Sequence, residues 1–129
     1  GDELNLVKPG ANYGWPLVSE GRHYSGTFIP HHDTRPEFTA PALYWNPVIA
    51  PGGMVFYTGK MWPEWQGQLL IGAMKPTAIV RVKIDGEKAT EEARYPMPKR
   101  IRAIAQAPDG ALLVLEDKAD GRLLRLSRK

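Results

Sequence analysis

From position 42 onward, apolar residues fall in short runs at regular spacing. Ala42–Trp45, Met54–Tyr57, Gln68–Met74, Ala78–Ile84, Ala89–Tyr95, Ile101–Gln106, Ala111–Glu116 and Arg122–Ser127 each predict a strand of roughly four to eight residues. Ile79-Val80-Arg81-Val82-Lys83-Ile84 alternates apolar and basic residues, the pattern of a half-buried strand. Leu123-Leu124-Arg125-Leu126 is similar but less regular. The turn dipeptides Asp85-Gly86, Asp109-Gly110 and Asp120-Gly121 punctuate the runs. Residues 1–41 are different. Asn12-Tyr13-Gly14-Trp15-Pro16 and Ser25-Gly26 read as turns, and Pro30-His31-His32-Asp33-Thr34-Arg35-Pro36 reads as an exposed loop. Only Leu4–Lys8 predicts a strand there. Many short strands separated by turns predict an all-β sandwich, barrel or propeller. One recurrence favours the propeller. An apolar strand, an Asp-Gly turn and a second strand occur at Leu69–Lys88 and again at Ile101–Leu115, as a sheet repeated around an axis would give.

Composition narrows this without redirecting it. The 129 residues fit one domain, and the 13 Gly and 12 Pro favour a loop-rich β-protein over a helical bundle. The formal charge of +3 comes from scattered basic residues, so no nucleic-acid footprint is expected. With no cysteine, disulfide and thiolate chemistry are excluded. No apolar run approaches the ~18 residues of a membrane helix, so no membrane insertion is expected. The chain opens inside a motif, Gly1-Asp2-Glu3-Leu4-Asn5-Leu6, with no disposable leading residues. The expectation is a piece of a larger β-structure.

Few residues carry candidate chemistry. Asp2, Glu3 and Asn5 beside a turn could hold a Ca²⁺ or could form a solvated strand end. His31-His32-Asp33 suggests a metal cluster, but adjacent histidines on an extended chain point to opposite sides, so a surface loop is expected. Lys75 sits where a strand gives way to Pro76 and a loop. Alternation puts Arg100 and Arg102 on one face, with Ile101 opposite. Two same-face arginines suit a carboxylate-rich ligand bound between them. They equally suit an Asp or Glu on a neighbouring strand. The tryptophans Trp15, Trp45, Trp62 and Trp65 read as core or rim packing. There is no Ser/His/Asp arrangement and no Gly-rich phosphate loop.

Taken in order, several motifs resemble the soluble pyrroloquinoline-quinone (PQQ) dependent glucose and aldose sugar dehydrogenases. They are Gly1–Leu6, Asn12-Tyr13-Gly14-Trp15-Pro16, Ala50-Pro51-Gly52-Gly53-Met54-Val55-Phe56-Tyr57, Ile101-Arg102 and Pro108-Asp109-Gly110-Ala111-Leu112. The resemblance covers nearly the whole chain and corresponds to roughly the C-terminal third of such an enzyme. It implies an all-β chain of about two four-stranded blades, plus part of a third, from a six-bladed β-propeller. Residues 1–41 would end a preceding blade, and 42–129 would be the C-terminal blades. It further implies a periplasmic or secreted protein that uses PQQ and calcium to oxidise an aldose at C1 to the lactone. Lys75 falls at a lysine that contacts the cofactor, and Arg100 and Arg102 at arginines that pair with and stack near PQQ, a tricarboxylate. Glu3, with the backbone carbonyl of Tyr13, resembles a structural Ca²⁺ site. Trp45–Pro51 matches a loop beside the cofactor, although Asn46 replaces an Asp of many members and Val48 a hydroxyl residue.

The family's catalytic histidine lies on an earlier blade, and none of His23, His31 and His32 falls at its position. No catalytic residue is assigned, and the chain alone is expected to be inactive. Open blade edges lead us to expect association of copies. The alternative reading is a non-catalytic, propeller-type binding or interaction module.

Overall fold

The alternating runs form strands, and the strands form three antiparallel sheets in a computed structural model that describes all of residues 1–129. The strands are β1 (Asp2–Leu4), β2 (Leu43–Trp45), β3 (Pro51–Phe56), β4 (Leu69–Ala73), β5 (Ala78–Asp85), β6 (Lys88–Pro96), β7 (Ile101–Gln106), β8 (Leu112–Glu116) and β9 (Leu123–Leu126). There is no α-helix, only 3-10 turns at His32–Thr34 and Pro63–Trp65. β1 pairs with β2, β3-β4-β5-β6 form a four-stranded sheet, and β7-β8-β9 form a three-stranded one. The chain is therefore all-β, with one complete four-stranded blade. It divides into two compact units, residues 1–49 with 86–89, and residues 50–85 with 90–129.

The second unit is built around apolar faces that the strand pattern dictates. β4 is buried along its whole length, as a central strand should be, while β6 alternates between exposed and half-buried positions at the sheet edge. Tyr57, Leu70, Ile79, Ile101, Ile104, Leu112 and Val114 form its core. The Tyr57 hydroxyl, fully buried, donates to the Gly110 carbonyl at 2.8 Å and accepts from the Trp62 amide at 3.1 Å. Those bonds tie the Asp109-Gly110 turn to the loop at Trp62. Trp62 and Trp65 stack at 4.8 Å between ring centroids, and Tyr57 packs against both edge-on.

Two irregularities shape one end of these sheets. The register of β3 on β4 shifts between Pro51 and Met54, and that of β7 on β8 shifts between Ile101 and Ala103. Each shift places one extra residue in the first-named strand, a β-bulge. The two bulges face each other. A Cβ on Gly52 would lie 2.3 Å from the Arg102 carbonyl oxygen, so only glycine allows β3 to approach β7 this closely. A Cβ on Gly72 of β4 would lie 2.8 Å from Ile101 Cγ2. Glycines therefore hold the start of β7 against the end of the four-stranded sheet.

In the first unit, β1 pairs with β2 in the register Asp2↔Trp45, Glu3↔Tyr44, Leu4↔Leu43. The strand expected at Leu4–Lys8 is displaced to Asp2–Leu4. The reason is a side chain. The Tyr13 hydroxyl donates to the Leu6 carbonyl and accepts from the Lys8 amide at 2.8 Å, so this stretch is bonded to a tyrosine and not to a ladder. Val18, Ile29, Trp45 and Ile49 are buried, and an isolated bridge joins Arg22 to Phe28.

Candidate functional site

Three of the residues singled out from sequence lie at one end of the second unit. β4 ends at Ala73, which pairs with Pro51 at the start of β3 and Ala78 at the start of β5. Lys75 lies in the turn that follows, exposed and with no hydrogen-bonding or ionic partner among the described residues. β7 begins at Ile101, opposite Glu116 at the end of β8. Arg100 and Arg102 flank that first position. The Arg100 terminal nitrogen Nη2 lies 3.5 Å from the sulfur of Met74, the neighbour of Lys75.

The two arginines meet on a single carboxylate, Asp117, that follows β8. Arg100 Nε donates to Asp117 Oδ2 at 2.9 Å, and Arg102 Nε donates to Oδ1 at 3.2 Å. The Asp117 amide also donates to the Arg100 carbonyl at 2.7 Å, which fixes the carboxylate's own backbone. Hydrogen bonds from Arg100, then from Arg102, hold the Asp117 carboxyl below the usual range. Both guanidinium groups are bound through the Nε edge, and the terminal nitrogens of Arg102 have no protein partner. The same-face placement of the two arginines is observed. Of the two partners left open for them, the carboxylate is present, yet it occupies only one edge of each guanidinium. Asp117 was not singled out from sequence. Its signal was partial: counting outward from Asp109-Gly110 sets Asp117 opposite Ile101, and the extra residue in β7 moves it beside Arg100.

Glu3 and Tyr13 lie in the first unit. Glu3 Oε1 accepts from the Ser19 hydroxyl at 3.4 Å and the Glu20 amide at 3.3 Å, and its Oε2 from Asn5 Nδ2 at 3.4 Å. The Glu3 carboxylate borders a cavity shared with Asp2, Trp15 and Ser19. Asn5 Oδ1 is buried with no partner, an orphaned acceptor of the kind that calls for a donor or a cation. The Tyr13 carbonyl accepts from His32 Nε2 at 3.0 Å. No group of three or more His, Cys, Asp or Glu side chains is arranged to hold a metal ion. The oxygen donors present (carboxylate, amide, backbone carbonyl) are of the type a hard cation takes.

The histidine pair is a correction. His31 and His32 do not point to opposite sides: the Nδ1 atoms of both reach Glu20, at 2.8 Å and 3.3 Å, on its two separate oxygens. The chain is not extended here, because His32 opens a 3-10 turn. Burial pushes the Glu20 carboxyl up, but hydrogen bonds from His31 and His32 together outweigh it and hold the group low. Glu20 thus satisfies a buried His32 and staples the 20–32 segment closed.

Known proteins share this fold. The family model for glucose / sorbosone dehydrogenases matches residues 1–125. The chain belongs to the glucose/sorbosone dehydrogenase family. It is 41% identical to the aldose sugar dehydrogenase YliI of Escherichia coli K12, over 98% of this chain and 35% of that protein. A crystal structure of a glucose dehydrogenase superposes with a TM-score of 0.90 at 40% identity, covering 100% of this chain and 38% of the other. The PQQ-bound aldose sugar dehydrogenase of Streptomyces coelicolor shares the fold, with a TM-score of 0.66 at 24% identity over 98% of this chain and 36% of that one. The chain thus spans about a third of the length of the relatives it matches. No helix in it is long and apolar enough to cross a membrane.

Proposed function

We propose that this chain contributes the cofactor-carboxylate side of a PQQ-dependent aldose sugar dehydrogenase, acting on a sugar's C1 hydroxyl in the periplasm or outside the cell. The observation that carries the reading is the pair of guanidinium groups held through Nε by Asp117, with the terminal nitrogens of Arg102 unpartnered and Nη2 of Arg100 resting on the Met74 sulfur. Lys75 adds an unpaired cation at the same end of the sheets. This donor set fits a planar tricarboxylate: arginine binds carboxylates bidentately through two parallel N–H groups, and lysine supplies a point charge. When bound, PQQ would supply a quinone as hydride acceptor for C1 of the sugar. Lys75, Arg100 and Arg102 bind and orient its carboxylates, and their fixed charge favours the anionic form that develops on reduction. No histidine of this chain is assigned as the base, so the chain alone is expected to give no sugar turnover. The open edges of β6 and β9 favour association of copies.

Titration of PQQ into the chain, followed by calorimetry, tests this reading. Arg100→Ala and Arg102→Ala are each expected to weaken binding about ten- to a hundredfold, as loss of a charge-assisted bond of ~1.5–3 kcal/mol implies. Lys60→Ala, in a turn outside the set, should change it little. Equal losses at all three positions would mean diffuse attraction without a site. Absence of binding to the unsubstituted chain would favour a non-catalytic module.

The same reading includes a calcium ion held by Glu3, the Tyr13 carbonyl and the orphaned oxygen of Asn5. Millimolar Ca²⁺ is expected to raise the melting temperature by a few degrees relative to EDTA. Glu3→Gln should remove that difference. A melting temperature indifferent to both Ca²⁺ and EDTA would overturn the site.

A further inference from the structure

We propose that Asp117 is a positioning residue that aims Arg100 and Arg102 at the bound anion, an inference that rests on the PQQ reading. Its two oxygens are divided between the arginines, one Nε each. An Nε–H bond fixes the plane of a guanidinium and leaves its outer Nη edge free to form a second, parallel pair of bonds. Without a carboxylate between them the two cations repel, and each long side chain spreads over many rotamers. Asp117 is itself fixed: its amide donates to the Arg100 carbonyl at 2.7 Å, and it follows Glu116, whose side chain is fully enclosed. The chain of restraint therefore runs from the buried end of β8, through Asp117, to two exposed guanidinium groups. The bulge at Arg102 in β7 shifts the register by one residue and so sets Asp117, which follows Glu116, beside Arg100. Nothing comparable restrains Lys75.

Asp117→Asn removes a negative charge from an anion site. If long-range attraction set the affinity, the variant would bind PQQ more tightly. If Asp117 aims the arginines, it should bind about tenfold more weakly, and Asp117→Glu, which restores the charge on a longer stem, should recover part of the loss. The second readout does not need the cofactor. In the unsubstituted chain the Nε–H resonances of Arg100 and Arg102, assigned through the two alanine variants, should stand apart from those of free arginine. In Asp117→Asn both should collapse toward the free position. Unchanged or tighter PQQ binding by Asp117→Asn would overturn the proposal, as would arginine resonances that the substitution does not move. Failure of PQQ to bind the unsubstituted chain would instead overturn the functional reading, with the clamp itself then decided by the resonances alone.

Discussion

Gly52→Ala is expected to lower the melting temperature of the chain by several degrees and to weaken PQQ binding at the same time. The added methyl would lie 2.3 Å from the Arg102 carbonyl oxygen, 2.8 Å from its carbon and 3.0 Å from the Ile101 carbonyl oxygen. All three are backbone atoms, so no rotamer change can make room. β3 or β7 must move. Overpacking of this kind costs about 1–3 kcal/mol, which for a domain of this size is roughly 4 °C or more. The displaced residue is Arg102 itself, so cofactor affinity should fall beyond what the stability loss alone would give. Gly67→Ala is the comparison. Its added methyl meets nothing within 4 Å, and only the left-handed backbone (φ 74°) opposes it. It should cost stability and leave PQQ affinity at the wild-type value. Thermal melts and titrations on the two variants check both halves. Equal affinities in the two would show that the close approach of β3 to β7 does not set the arginines.

The second large effect is expected at Glu116. Its side chain is fully enclosed and accepts from Arg122 Nε at 2.9 Å, Arg122 Nη2 at 2.8 Å and the Arg122 amide at 3.0 Å, with Lys99 Nζ at 3.9 Å. The Arg122 hydrogen bond, above all, pulls the carboxyl down to about 2 from its usual 4.5. A carboxyl depressed in the folded state binds fewer protons than in the unfolded chain. Its stabilisation is complete above the unfolded value and is lost as pH falls toward the folded one. The chain should therefore lose stability between about pH 4.5 and pH 2. Asp109, Asp117 and Asp120, also held low by their basic partners, add to the same trend. Glu116→Gln should melt well below wild type at neutral pH, because Arg122 loses its anion while Lys99 keeps only Asp120. It should also show a flatter acid profile. Asp120→Asn, at an exposed position, should change the profile far less than Glu116→Gln. Melting temperatures from pH 6 to pH 2 decide this, and parallel profiles for wild type and Glu116→Gln would show that the enclosed Glu116 carboxylate is not the source.

Much of the second unit was legible because its strands obey the simplest rules. Ile79–Ile84 alternates and is a strand, and Ile101–Gln106 has the expected bounds. Legibility failed where a side chain replaced the ladder or an extra residue entered it. Tyr13 captures the Leu6 carbonyl and ends β1 early. The bulge at Gly52-Gly53 extends β3 back to Pro51, past the polar-looking Ala-Pro-Gly-Gly stretch where periodicity is silent. The arginine pair was legible from alternation, but its link to a quinone came from resemblance and not from residue pattern. Asp117 was not legible, because counting outward from Asp109-Gly110 sets it opposite Ile101 and only the extra residue in β7 moves it beside Arg100. Glu20 was invisible because its histidines are 11 and 12 residues away, across a segment without periodicity.

The facing bulges have a consequence for anyone altering this end of the molecule. In a strand, one residue more or less exchanges the two faces for everything beyond it. The extra residue in β7 therefore sets the phase of Arg100, and the extra residue in β3 provides the recess into which the β7 backbone fits. The two insertions behave as a key and its slot. Removing the β7 residue would leave every strand able to pair yet turn Arg100 toward the wrong side, and removing the β3 residue would close the recess, so loop redesign here must conserve chain length before it conserves residue type.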